Sequence, residues 1–212
     1  MKKIVILISG RGSNLQALLS AGLPCQITAV ISNRADAQGL EVARQHGITT
    51  RVLAHQNYAD RACFDAALEE MIDSYQPDFI VLAGFMRILT AIFVELFRGR
   101  LINIHPSLLP AFAGMNTHER ALQDGVKIHG CTVHFVTPDL DHGPIIIQAA
   151  VPVLSNDTAQ ILSERVLLQE HLVYPQAIRW LCAGQVHLNT EGKVVFLHAE
   201  HAGAALVAPN ME

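Results

Sequence analysis

Apolar residues recur along this chain in two rhythms. Ile4 to Ile8 is an unbroken run of aliphatic side chains, the pattern of a strand covered on both faces in a parallel sheet. Shorter runs stand at Ile27 to Ile31, Thr49 to Leu53, Phe79 to Ala83 and Leu101 to Ile104. Between them the spacing becomes helical. Leu15, Leu18 and Leu19 follow the first run, with Ser13 or Asn14 as the expected cap. Leu40 to Gln45 is stopped by Gly47, and Thr90 to Phe97 forms a short segment. From Asp60 to Tyr75, Cys63, Phe64, Ala67, Leu68, Met71 and Ile72 share one face, with the charges expected on the other. Strand and helix alternating over half the chain predict an α/β fold with a doubly wound, mostly parallel sheet, Rossmann-like in its N-terminal half.

After Gly114 the rhythm changes. A short helix is expected over Thr117 to Gln123, then strands over Gly130 to Val136 and Pro144 to Val153. The link between those strands is too short for a parallel crossover, so they should extend the sheet as an antiparallel pair. Asp157 and Gln160 have the spacing of a capping pair for a long helix from Thr158 to Cys182, kinked or divided at Pro175. One edge strand is expected after Glu191, then a loose C-terminus after about residue 198. No repeat, linker or low-complexity block interrupts the chain, so residues 1–212 read as a single domain.

Composition narrows the function classes. Half of the residues are hydrophobic, 16% are charged and the net charge is −4, which suits a well-buried globular protein without a basic face for nucleic acid. Cys25, Cys63, Cys131 and Cys182 form no CxxC, so reduced thiols are expected rather than zinc or disulfides. Lys2-Lys3 and the apolar run after them are too short for a signal peptide, and no stretch has the length of a membrane span. The expected compartment is the cytoplasm.

Chemistry gathers around Leu101 to Gly114. Asn103 and His105 alternate on a strand, so both side chains project from one face at a strand end stiffened by Pro106 and Pro110. Asp141 lies in the link between the two later strands, which can lie beside the Asn103/His105 strand. A carboxylate near an imidazole favours its charged form. Together the three groups suit acyl transfer: amide and imidazolium stabilise an oxyanion while the carboxylate orients the ring. G-x-S-x-G is absent and no cysteine is suggestively placed, so direct attack by a substrate amine is the simpler route.

Gly10-Arg11-Gly12-Ser13-Asn14, between first strand and first helix, serves equally well as a tight turn or as an anion site of helix N–H groups. Leu15 stands where a dinucleotide fingerprint needs a third glycine, so a single phosphate fits better than a pyrophosphate. Leu82 to Leu89, including Gly84, can wall a slot for a flat heterocycle or form a buried corner. Glu170 on the long helix reads as a solvated residue, and His118, His129 and His134 match no metal-ligand spacing.

Four motifs in order carry a resemblance: Ile8 to Ala17 (ISGRGSNLQA), Val81 to Leu89 (VLAGFMRIL), Asn103 to Pro110 (NIHPSLLP), and Leu140-Asp141 with Gly143-Pro144. Their sequence is similar to the folate-dependent formyltransferases, and the S-G-x-G-S-N-L-Q opening to the glycinamide ribonucleotide branch used in purine biosynthesis. The resemblance covers about Lys3 to Gly184. It implies Asn103, His105 and Asp141 as the catalytic trio. It also implies Gly12, Ser13 and Asn14 around the ribonucleotide phosphate, with Glu170 on the same substrate. For the co-substrate 10-formyltetrahydrofolate it implies Arg61, Met86, Arg87, Ile88, Leu89, Asn103, Thr137, Pro138, Asp139, Leu140 and Asp141, with no metal. The implied division is a phosphate-binding half over about 1–100 and a catalytic and folate-binding half over about 101–190. The expected partners are the two small substrates, without nucleic acid or membrane, in a monomer or weak homodimer.

Three positions depart from the pattern: Ala113 replaces proline, Asn116 replaces histidine, and His142 replaces a small residue after Asp141. The first two are expected to loosen the loop, and the third to perturb the carboxylate. The rival readings are a transfer-RNA formyltransferase, which should carry a further basic domain, a formyl-folate hydrolase, and a non-catalytic nucleotide-binding module.

Overall fold

The computed structural model describes residues 1–197 together with residues 206 and 208. The expected loose C-terminus falls almost wholly outside the described residues. Five parallel strands, β1 (Lys2–Ile8), β2 (Cys25–Ser32), β3 (Thr50–Val52), β4 (Phe79–Leu82) and β5 (Leu101–His105), are continued by antiparallel β6 (Ile128–Phe135) and β7 (Ile145–Pro152). The order is β3-β2-β1-β4-β5-β6-β7, so the chain winds outward from β1 in one direction and then returns to pair β4 on its other side. The carboxyl ends of β1 and β4 therefore flank a crevice at the point where the winding reverses.

The aliphatic run of β1 explains the two layers. Ile4, Ile6 and Ile8 pack under α1 (Ser13–Ser20), α2 (Gly39–Gln45) and α6 (Ala159–Cys182), whereas Val5 and Leu7 pack under α3 (Arg61–Asp73) and α4 (Ala91–Leu96). All five are fully buried, a contribution of about 1.5–3 kcal/mol each. A third cluster seats α5 (Thr117–Gln123) and the start of α6 on β6 and β7. Tyr174 of α6 donates its hydroxyl to the carbonyls of Leu82 and Ile102, tying the helix to β4 and β5 beneath the site.

Some local expectations are corrected. Neither Ser13 nor Asn14 caps α1: the helix begins at Ser13 behind Gly12, which sits at φ 84 and gives no side-chain cap. Asp157 and Gln160 do not form a capping box. Thr158 accepts from the Ile161 N–H, while Asp157 accepts the Leu154 N–H and binds Arg165. α6 is not divided at Pro175, which is buried on the side of the helix that faces α1. The strand expected after Glu191 is β9 (Val194–Phe196), which pairs with β8 (Val186–Leu188) in a separate hairpin rather than at the sheet edge.

Candidate active site

β5 delivers Asn103 and His105 on one face, and β6 lays His134 opposite Asn103 in antiparallel register. The β6–β7 link doubles back with Asp141 at φ 55, a left-handed conformation rare for a residue with a side chain. Gly143 makes this return feasible, since a Cβ there would fall 1.7 Å from the Phe135 carbonyl oxygen. The loop 106–116 closes the site from above. Its backbone is anchored by Thr132, which donates to the Ser107 carbonyl and accepts from the Leu109 N–H, and by Gln148, which donates to the Leu109 carbonyl.

These elements bring the three expected groups together. The carboxylate of Asp141 lies 3.4 Å from His105 Nδ1 and accepts the Gly114 N–H at 2.9 Å. His105 Nε2 faces the Phe112 carbonyl at 3.0 Å. Both ring nitrogens thus face acceptors, an arrangement that only the doubly protonated imidazolium satisfies in full.

His134 is a fourth member, one that the sequence offers only as a histidine without metal-ligand spacing. Burial pushes its pKa down, which keeps the ring neutral at pH 7. Its Nδ1 donates to the Phe135 carbonyl at 2.9 Å, leaving Nε2 to accept from the Asn103 amide at 3.2 Å. One Asn103 N–H is thereby fixed and the other remains for a ligand. The approach of His134 Nε2 to Asp141, at 4.0 Å, is accordingly not an ion pair.

The phosphate turn lies at the carboxyl end of β1. Gly12 touches the start of α2, and the Gly39 N–H bonds the Gly10 carbonyl. With no side-chain cap on α1, its first N–H groups stay available to an anion. β1 and β5 are separated by β4 alone, so their carboxyl ends lie about 10 Å apart, two strand spacings.

Glu170 corrects its reading as a solvated residue. It is buried at 6% exposure, accepts from Asn14 Nδ2 at 2.7 Å, and has its carboxyl raised by burial, partly offset by that bond. Asn14 Oδ1 is buried without a partner. Glu170, Asn14 and the turn that holds Gly12 and Ser13 therefore form one cluster.

Across the crevice, the segment after β4 exposes Met86 and Ile88 and carries Arg87 over the Phe64 ring at 4.7 Å. Arg61 is exposed at the start of α3, three residues before Phe64, and makes no salt bridge among the described residues. Pro138, Asp139 and Leu140 are exposed on the link that ends in Asp141, and Thr137 bonds the Asp139 carbonyl. His142 turns outward to the Leu140 carbonyl and makes no bond to Asp141. The loop at Ala113 and Asn116 is held by Arg120 on the Ala113 carbonyl, and Asn116 takes the left-handed conformation that asparagine tolerates.

His118 and His129 stack edge to face at 5.2 Å beside this loop, and among the described residues no three His, Cys, Asp or Glu side chains could hold a metal ion. Burial pushes His129 down to about 4. A ring neutral in the fold but charged when unfolded removes stability as pH falls from 6.5 towards 4, by up to about 3 kcal/mol. His129→Phe should flatten the acid limb of stability measured by urea unfolding between pH 7 and 4.5; an unchanged slope would refute this assignment.

The formyl transferase family matches residues 2–178. The phosphoribosylglycinamide formyltransferase of Escherichia coli (strain K12) is 50% identical over 190 residues, 88% of this chain and 90% of that protein. The human trifunctional purine biosynthetic protein adenosine-3 is 48% identical over 202 residues, 93% of this chain but 20% of that protein, so the chain spans about a fifth of this longer relative. The crystal structure of glycinamide ribonucleotide transformylase 1 from Symbiobacterium toebii superposes with a TM-score of 0.90 at 46% identity, covering 93% of this chain and 95% of that one.

Proposed function

This chain belongs to the formyl transferase family, and from that premise we propose that it moves the formyl group of 10-formyltetrahydrofolate to the amine of glycinamide ribonucleotide, a step of purine biosynthesis. One observation carries the mechanism: Asn103, His105 and Asp141 converge, with His134 behind them, beside an uncapped helix N-terminus. The phosphate sits on the N–H groups of Gly12, Ser13 and Asn14, with Glu170 on the same ligand. The folate lies along Met86, Arg87, Ile88 and Leu89 and against Thr137 to Asp141. Arg61 and Arg87 offer charge to an anionic end of the donor.

The substrate amine attacks the formyl carbon. The carbonyl oxygen becomes an oxyanion, stabilised by the free Asn103 N–H and by His105, whose Nε2–H turns from the Phe112 carbonyl to the new charge. Collapse re-forms the carbonyl and breaks the bond to N10, and overall one proton passes from the attacking nitrogen to N10. Asp141 orients His105 and sets a carboxylate opposite its Nδ1. No covalent acyl-enzyme is needed: the Ser107 hydroxyl is buried on the Ala111 carbonyl, and burial pushes the Cys131 thiol up to about 12.

The residues work as one domain, with the phosphate half over about 1–100 and the catalytic half over about 101–190. The chain acts in the cytoplasm as a monomer or weak homodimer; among the described residues no helix is long and apolar enough to cross a membrane. The test is a spectrophotometric formyl-transfer assay with and without glycinamide ribonucleotide. Turnover that requires the ribonucleotide is expected. Donor deformylation without it would assign a hydrolase, and binding of both ligands without reaction would assign a binding module.

A further inference from the structure

The crevice wall formed by residues 83–90 has little regular structure, yet it is held at two points. Phe85 and Leu89 face the core beneath α3 and α4, while Gly84, Met86 and Ile88 face outward. Of the backbone N–H groups from Gly84 to Thr90, two have acceptors among the described residues. Met86 donates to Ser9 Oγ at 2.8 Å, and Thr90 donates to Asp65 Oδ2 at 2.7 Å.

Both acceptors are buried side chains on other elements, and neither position favours a polar group by itself. Asp65 is 3% exposed on the same face of α3 as Leu68 and Ile72, and its other oxygen has no partner. Among the described residues, its one side-chain bond is therefore the one to the segment. Ser9 donates its hydroxyl hydrogen to Asn33 Oδ1 at 2.6 Å, which aims its lone pairs at Met86. Ser9 also stands directly before the phosphate turn. Burying a carboxylate and a hydroxyl here is costly unless their bonds set something in place.

We propose that Ser9 and Asp65 are positioning residues that pin the two ends of the segment carrying Met86 to Leu89, and so set the folate slot at a fixed distance from the phosphate turn. This rests on the folate reading above. Among the described residues, no acceptor takes up the N–H groups between the two pins.

The test uses steady-state kinetics of the full chain with Asp65→Ala, Asp65→Asn and Ser9→Ala, beside amide hydrogen exchange. Asp65→Ala should raise KM for the formyl donor at least tenfold while moving KM for the ribonucleotide less than twofold. Asp65→Asn keeps an acceptor for Thr90 and should return the donor KM to within threefold of wild type. Ser9→Ala should raise both KM values, because Ser9 also precedes the phosphate turn. The Met86 and Thr90 amides should exchange more slowly than those of Arg87 and Ile88, and each should lose protection when its acceptor is removed.

Donor KM within twofold of wild type in both folded alanine variants would overturn the proposal, as would equal effects of Asp65→Asn and Asp65→Ala. Unchanged protection at both amides would overturn it as well, and this readout needs no turnover. It therefore separates failure of the pins from failure of the formyl-transfer reading. Should Asp65→Ala not fold, Ser9→Ala and the exchange measurement still decide.

Discussion

Asp141→Asn is expected to lower kcat by about a thousandfold with a much smaller change in either KM. The substitution keeps shape and an oxygen for the Gly114 N–H, so the loop stays closed. What it removes is the negative charge 3.4 Å from His105 Nδ1. The oxygen that remains still faces Nδ1, but as a neutral acceptor it no longer balances a charge on the ring. An oxyanion then meets a weaker donor at the moment charge develops. His105→Ala should lose at least as much. A loss below tenfold in Asp141→Asn would remove the Asp141–His105 pair from the mechanism.

The pairing also shows where the sequence is informative. Asn103 and His105 can be placed on one strand face because a strand has period two, and a Pro-rich stretch after them marks an end. The short β6–β7 link makes its two strands antiparallel neighbours of each other, whereas their place beside β5 is seen only in the fold. His134 escapes assignment to the site, since its place opposite Asn103 depends on register, which is fixed by side chains and turns distant in sequence.

Glu170 is hidden for a different reason. Leu162, Val166, Tyr174 and Ile178 are buried on α6, and Glu170 falls in the same four-residue row. A charge inside a buried row marks a site, whereas the same charge on the opposite face is solvated. Asp65 breaks the expectation for α3 in the same way, lying on the face of Leu68 and Ile72 rather than with the charges opposite. Helical periodicity picks out the apolar members of each row, while the polar intruders carry the functional information.

Gly12→Ala is expected to raise KM for the ribonucleotide about a hundredfold while kcat at saturation falls much less. Two independent constraints meet at this residue. Its φ of 84 is a conformation that costs a side-chain-bearing residue about 1–2 kcal/mol. A Cβ would also stand 2.7 Å from Gly39 Cα, a backbone atom that cannot swing aside, so the turn or the start of α2 must shift. Either shift redirects the N–H groups at the head of α1, which hold a phosphate only when they converge. Gly22→Ala is the control, because Gly22 also has a positive φ of 58 but a methyl group there would meet nothing within 4 Å. It should cost about 1 kcal/mol in unfolding and leave both KM values near wild type. Equal effects of the two substitutions on ribonucleotide KM would mean that backbone strain alone, and not the close contact with Gly39, governs the turn. A Gly12→Ala enzyme with unchanged ribonucleotide KM would take the phosphate away from this turn.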